Sequence, residues 1–145
     1  MSVLRQGSRF FLVCAVVTLI SGCTTWINRS TGLCAGGGGS SNRQAPIVCV
    51  DDSGPVLTLN PEPVTAHDVK KGTHQPVTVQ WATVSGADLW VEMKEEGCVR
   101  NMNCNAPGRC TAVTIPGAVK SCKYDVWTTP ENRLDPIIII TTCCS

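Results

Sequence analysis

The chain has 145 residues, 12 basic and 11 acidic side chains, a formal net charge of +1 and ten cysteines. The length suits one domain with a single core. The nearly balanced, interspersed charge excludes the basic footprint of a nucleic-acid-binding protein, and no polybasic run is present that would add an attraction to an anionic membrane.

The first 23 residues have the pattern of a secretory signal that ends in a cysteine. Arg5 and Arg9 supply the positive start, the stretch 10–20 is apolar, and the small Ser21 and Gly22 leave room for a peptidase. A spanning helix needs about 20 apolar residues, so this stretch is too short to serve as an uncleaved transmembrane anchor. Residues 1–22 are therefore predicted to be a signal peptide that is removed.

The sequence Ile20-Ser21-Gly22-Cys23 resembles the lipobox of bacterial lipoproteins. The resemblance implies that the thiol of Cys23 receives a diacylglycerol, that cleavage precedes it and that the new N-terminus is acylated, for example with palmitate. Several acyl chains anchor a protein stably. Thr24 is not the aspartate that the family associates with inner-membrane retention, so the resemblance implies the outer membrane of a Gram-negative envelope. An ordinary secretory signal cut after Gly22 is the alternative.

The next segment, 23–45, is predicted to be a lipidated, flexible tether. It contains four consecutive glycines, 36–39, followed by serine and asparagine, a composition that behaves as random coil. Cys34 interrupts it, and we expect this cysteine to pair with a partner in the folded body rather than with another chain.

Removal of the signal would leave a net charge of about −1 and eight cysteines beyond Cys23, because Arg5, Arg9 and Cys14 leave with it. An even set at this density, in an exported chain, predicts a framework of up to four disulfides whose connectivity the sequence leaves open. The candidates are Cys34, Cys49, Cys98, Cys104, Cys110, Cys122, Cys143 and Cys144.

From Pro46 onward the apolar residues alternate with a period of two, which is typical of strands. The predicted strands are 47–50, 56–59, 77–82, 89–93, 110–115, 123–127 and 137–142, with prolines between or at the edges of these runs. The strands 77–82 and 89–93 are predicted to form a hairpin around Ser85-Gly86-Ala87-Asp88, and 137–140 to be a central strand. The prediction for 46–145 is an all-β, disulfide-rich antiparallel β-sandwich.

Two segments resemble small exported immunoglobulin-like or cupredoxin-like domains: Lys70-Lys71-Gly72-Thr73 before the run 76–81, and the closing run 134–140. The resemblance also implies a β-sandwich. The chain departs from the antibody pattern because no Cys-Trp-Cys spacing is evident and the cysteines cluster late.

The segment 97–122 is predicted to be a polar, cysteine-rich loop, since Cys98, Cys104 and Cys110 recur six residues apart among asparagine, proline and glycine. A disulfide-closed loop loses little entropy on binding and suits recognition, with Arg100 and Arg109 as candidate binding residues. The alternative is that the bridges only hold a long insertion in place.

The sequence offers little chemistry for catalysis. It contains no Cys-x-x-Cys, no Gly-x-Ser-x-Gly and only two histidines, His67 and His74. We therefore expect no cofactor, no enzymatic activity and a lipid-anchored binding or structural module whose partner is an envelope protein or a cell-wall component. The alternative is a periplasmic metal-binding or thiol-redox protein that uses His67 and His74 with some of the thiols.

An inhibitor of host lysozyme or a lipoprotein of a secretion apparatus would share the anchor and the size, but each would need motifs that the sequence does not carry.

Overall fold

A computed structural model describes residues 33–34, 38–70, 73–117 and 119–141. Within these residues, nearly all regular structure is β, and a single 3-10 turn, Pro130–Asn132, precedes the last strand. The strands are β1 (Ile47–Asp51), β2 (Thr58–Asn60), β3 (Val64–His67), β4 (Val69–Lys70), β5 (Thr73–His74), β6 (Thr78–Thr83), β7 (Trp90–Met93), β8 (Val99–Ala106), β9 (Arg109–Thr114), β10 (Lys120–Trp127) and β11 (Ile137–Thr141).

The strands form two principal sheets and one small hairpin. The first sheet has the order β2-β1-β6-β9-β8, the second has the order β3-β11-β10-β7, and β4 pairs only with β5. Strand β1 runs parallel to β6, and β3 runs parallel to β11; the other pairs are antiparallel. The predicted all-β, disulfide-rich class is confirmed, but both sheets are mixed rather than wholly antiparallel.

Two prolines lie where the chain passes from the first sheet to the second. Asn60 ends β2 in the first sheet and Val64 begins β3 in the second, with Pro61 and Pro63 between them. Proline has no N–H and cannot continue a ladder, so the chain leaves one sheet there and joins the other. Strand β3 then pairs with β11 in parallel.

One hydrophobic core fills the space between the two sheets. Trp81 of β6 and Tyr124 of β10 are fully buried and meet edge to face, with ring centroids 5.5 Å apart. Burial raises the pKa of the Tyr124 hydroxyl above its ordinary value. Alternate residues of both sheets supply the rest of this core, including Val48, Val50, Val64, Val79, Val126, Ile138 and Ile140.

The predicted hairpin of 77–82 and 89–93 does not form. The two runs are strands β6 and β7, but β6 lies in the first sheet and β7 in the second. Each run has one apolar face, and the two faces cover the same core from opposite sides, as the shared burial of Val79 and Val91 shows. Periodicity marks which face is buried but does not determine which strand lies alongside.

The segment predicted as a polar loop, 97–122, consists largely of strands. Strands β8 and β9 pair as a hairpin around Pro107 and Gly108, and β10 begins at Lys120. Strand β8 lies at the edge of its sheet, its register is interrupted twice, and most of its side chains are exposed. An edge strand that packs few apolar side chains has little period-two signal, so its asparagines indicated a loop. The predicted central strand, by contrast, is confirmed: β11 lies between β3 and β10.

Candidate functional site

Two tryptophans stack on the outer surface of the second sheet. Trp90 begins β7, Trp127 ends β10, and the two are paired residues of the ladder. Their neighbours in sequence, Val91 and Val126, enter the core, so both indoles lie on the opposite, solvent-facing side. The rings are nearly parallel, with an interplanar angle of 10° and centroids 6.4 Å apart, and Trp90 is 43% exposed.

An arginine lies over the ring of Trp127. The guanidinium carbon of Arg133 lies 4.5 Å from the centroid of the Trp127 ring, at cation–π distance. Its Nη2 atom donates to Glu92 Oε2 at 3.1 Å and also to Asp125 Oδ2. Arg133, Trp127 and Trp90 therefore form one column, and we name these three residues with Glu92 and Asp125 the Trp90 surface.

The charges around the column are paired with one another. Lys94 Nζ lies 3.0 Å from Asp125 Oδ1 and 3.2 Å from Asp135 Oδ1, and Lys123 reaches the other oxygen of Asp135 at 3.5 Å. The donors of Arg133, and secondarily Lys94, lower the pKa of the buried Asp125 carboxyl, while Asp125 raises the pKa of Lys94. Three cations and three carboxylates thus balance, so the Trp90 surface together with Lys94, Lys123 and Asp135 beside it carries no net charge.

This arrangement presents a rigid apolar plate. Indole stacking and a guanidinium held by two carboxylates restrict the rotamers of all three column members, so little entropy remains to be lost when a ligand covers Trp90. β7 is the edge strand of its sheet, which leaves no further strand beside Trp90. The site is suited to binding.

The chain segment before β1 is attached to the opposite outer surface of the domain. Cys34 forms a disulfide with Cys49 of β1, and Leu33, Cys34, Cys49 and Ala82 belong to a small apolar cluster separate from the main core. Cys49 lies between the core residues Val48 and Val50, so its side chain faces away from the core. Residues 33–34 therefore lie on the outer face of the first sheet, and the Trp90 surface lies on the outer face of the second.

Two further bridges involve the cysteines of the hairpin. Cys98 pairs with Cys122 and connects the start of β8, in the first sheet, to β10 in the second, while Cys104 pairs with Cys110 across the β8–β9 hairpin. The other predicted cysteines, Cys143 and Cys144, and the predicted lipidation site, Cys23, lie outside the described residues.

The two arginines predicted to bind are not brought together. Arg100 of β8 is opposite Val113, whereas Arg109 is opposite Ala106 near the hairpin turn. The four residues from 109 to 113 span about 13 Å along a strand. Arg100 is exposed and Arg109 is partly buried, so the pair does not form one cationic site.

The two histidines lie near each other but have different partners. His67 is buried beside a cavity of about 140 Å³, and its Nε2 lies 3.0 Å from Nη1 of Arg43. Burial, and secondarily the Arg43 charge, lower the His67 pKa, so the neutral ring accepts from the guanidinium. His74 Nδ1 lies 3.2 Å from Oδ2 of the buried Asp68.

A metal ion at His67 Nε2 would meet the positive charge of Arg43. Within the residues that the structure describes, no group of three His, Cys, Asp or Glu side chains is arranged to hold a metal. The carboxylate of Asp68 instead joins two loops, because its Oδ2 also accepts from the backbone N–H of Gly117.

The Trp90 surface was not predicted from the sequence, although the sequence contains a signal for it. In the runs 89–93 and 123–127, both tryptophans are in phase with the charged residues Glu92 and Asp125 rather than with the apolar ones. A tryptophan on the polar side of an alternating strand is expected to be exposed and is therefore a candidate for recognition. Arg133 carries no such signal, because its position over Trp127 depends on the path of the 128–136 connection.

Comparison of the chain with protein-family models, with curated proteins and with solved structures gives no match. Among the described residues, no helix is long and apolar enough to cross a membrane.

Proposed function

We propose that this protein is a non-enzymatic binding module held on the outer membrane of a Gram-negative envelope by lipid on Cys23, and that it binds its partner through the Trp90 surface. The observation that carries the proposal is that the anchor-side segment and the exposed tryptophans lie on opposite faces of the domain. The segment leading from Cys23 is bridged to the outer face of one sheet, and the exposed indole stack occupies the outer face of the other.

The length of the connection supports this orientation. The ten residues from Cys23 to Leu33 can span at most about 35 Å even when fully extended. The Cys34–Cys49 bridge then fixes the face of the first sheet toward that connection. A domain tethered in this way exposes the Trp90 surface on the side turned away from its anchor, where a partner can reach it.

The strand order supports a finer assignment of the fold. In the first sheet β6, β9 and β8 are consecutive neighbours, and in the second β11, β10 and β7 are. This is the order of strands B-E-D and G-F-C in an immunoglobulin-like sandwich. Under this assignment the Trp90 surface lies on strands C and F and receives Arg133 from the F–G connection. Such domains are rigid scaffolds on which recognition surfaces are displayed.

The partner is an envelope protein or a cell-wall component, and the balanced charges in and around the Trp90 surface argue against nucleic acid. The test uses a photo-cross-linking amino acid in place of Glu92 in cells that make the full chain. The matched position is Thr78, which is exposed at the start of β6 in the first sheet. We expect a specific cross-linked product from position 92 and none from position 78.

Three results would refute the proposal. A cross-link pattern equal at both positions would show that the Trp90 surface is not a binding face. A position-92 product that persists when Trp90 is alanine would show that the indole plays no part. The lipid anchor would be refuted if the protein in the membrane fraction carried no lipid mass on Cys23 and if Cys23→Ser left its location unchanged.

A further inference from the structure

We infer that the ligand of the Trp90 surface is a neutral pyranose chain with β linkages, in which one sugar ring stacks on the free face of the Trp90 indole. The inference rests on the proposed function and names the chemical class that the surface recognises. It is derived from three properties: the flatness of the indole, the balance of the charges around it and the polar groups at its rim.

The first property is a flat apolar plate of fixed orientation. Trp127 stacks against the Trp90 ring and Arg133 lies over the Trp127 ring, while Trp90 itself is 43% exposed and offers indole surface to a ligand. A β-linked pyranose with equatorial hydroxyls presents axial C–H groups on its ring faces, which makes a flat apolar patch of similar size. Two such surfaces exclude water from each other, and the π face attracts the slightly positive C–H groups.

The second property is the balance of charge. Arg133, Lys94 and Lys123 are offset by three carboxylates within ion-pair distance. An anionic or cationic ligand would gain from one half of this network and be repelled by the other half. A neutral ligand pays no such penalty.

The third property is the hydrogen-bonding capacity that the described residues leave open beside the indole. Arg133 makes its two carboxylate contacts through Nη2, and a guanidinium has five N–H donors. Glu92 is 64% exposed at its side chain, and a carboxylate has about four acceptor sites. Donors and acceptors at the edge of an aromatic plate match the hydroxyls at the rim of a sugar ring.

A large protein interface fits these features less well. The core of such an interface is contiguous and depleted of charged residues. Here the exposed large apolar side chains of the described residues are Val56, Trp90, Val119 and Ile137. Trp90 is bordered along its own sheet by Glu92 and Asp125 rather than by a second exposed apolar residue.

The experiment titrates the full chain, in a zwitterionic detergent free of sugar, with chitotetraose and follows tryptophan fluorescence and heat. Maltotetraose, whose α linkages curve the chain, is the comparison sugar. We expect saturable binding of chitotetraose and at least about fivefold weaker binding of maltotetraose. Trp90→Ala should raise the Kd for chitotetraose by about tenfold or more, which corresponds to losing about 1.4 kcal/mol of contact energy.

Three controls separate stacking from other effects. Trp90→Phe keeps a flat ring and should lose only about threefold. Ile137→Ala removes another exposed apolar side chain from the same face and should leave the Kd unchanged. Raising the ionic strength from about 0.05 to about 0.5 M should also leave it unchanged, since a neutral ligand gains nothing from the charges.

The outcomes distinguish this inference from the proposed function. No saturable binding of chitotetraose, equal binding after Trp90→Ala, or a Kd that rises steeply with salt would overturn the sugar assignment. If those results occur while the Glu92-position cross-link to an envelope protein persists and depends on Trp90, the proposed function stands with a protein partner. Loss of both dependences on Trp90 overturns both.

Discussion

Replacing Cys98 and Cys122 together by alanine should lower the free energy of unfolding by about 3.4 kcal/mol at 25 °C, as the loop-closure relation predicts for a bridge of this span. The two cysteines are 24 residues apart in sequence. Cys98 and Cys122 are 0% and 2% exposed, so replacing them by alanine also removes packing from the core. The bridge joins the two sheets directly, and its loss leaves their association to side-chain packing.

The same relation predicts a smaller loss for the hairpin bridge. Cys104 and Cys110 are six residues apart, which gives about 2.2 kcal/mol for Cys104→Ala with Cys110→Ala. Cys104 is only partly buried, so less packing is lost there. The two double variants therefore form a matched pair that differs in loop length and in burial.

The assay is equilibrium unfolding in guanidinium chloride without reductant, followed by far-ultraviolet circular dichroism. With an m value of about 3 kcal/mol per molar, the Cys98/Cys122 variant should lose about 1 M in midpoint and the Cys104/Cys110 variant about 0.7 M. An equal loss in both variants, or a larger loss from the hairpin bridge, would refute the reasoning from loop length and burial. The cross-link should make the unfolded chain more compact, so the wild type should have a lower m value than the variants. A higher m value in the wild type would also contradict the prediction.

Three further predictions concern packing and pH. Gly39→Ala should cost about 2 kcal/mol or more, because the added Cβ would overlap a backbone carbonyl of β2, whereas Gly38→Ala meets nothing within 4 Å and should change the unfolding free energy by less than about 0.5 kcal/mol. Because the pKa of His67 is lowered in the folded chain, the unfolded chain takes up this proton at higher pH, and the free energy of unfolding should fall as the pH drops below about 6.5. His67→Gln should therefore reduce the pH dependence of the unfolding free energy between about pH 7 and 5. An unchanged dependence in that variant would contradict this. Arg133→Met should raise the pKa of the Asp125 carboxyl, as measured by NMR titration. The stability that this carboxylate contributes is present above about pH 4 and is lost as the pH falls through its lowered folded pKa. The unfolding free energies of the variant and the wild type should therefore differ near neutrality and converge in strong acid.

Much of the β structure could be predicted from local pattern. The alternation in 47–50, 110–115 and 137–142 recovers β1, β9 and β11 to within one residue at each end. These strands each place one side on the core, and burial of one face imposes a period of two. The central position of β11 also follows, because an isoleucine run apolar on both faces would aggregate at an edge.

Strand β8 could not be predicted in this way, since its hydrogen bonds to β9 rather than its side chains hold it in the sheet. The sequence also did not reveal that β6 and β7 lie in different sheets, because two strands with equivalent apolar faces can lie side by side or on opposite sides of a core. The pairing of Cys34 with Cys49, and of Cys98 with Cys122, required the three-dimensional proximity of segments that no spacing rule connects.

The β character of the body and the abundance of cysteine follow from the sequence alone, because each depends on composition or on near neighbours in the chain; the signal that ends at Cys23 stays a prediction of the same local kind. The contact of Trp90, Trp127 and Arg133, and the location of residues 33–34 on the opposite face, became visible with the folded chain. These placements depend on ladder register and on the path of connections between sheets, which arise from the packing of the whole core rather than from any single segment.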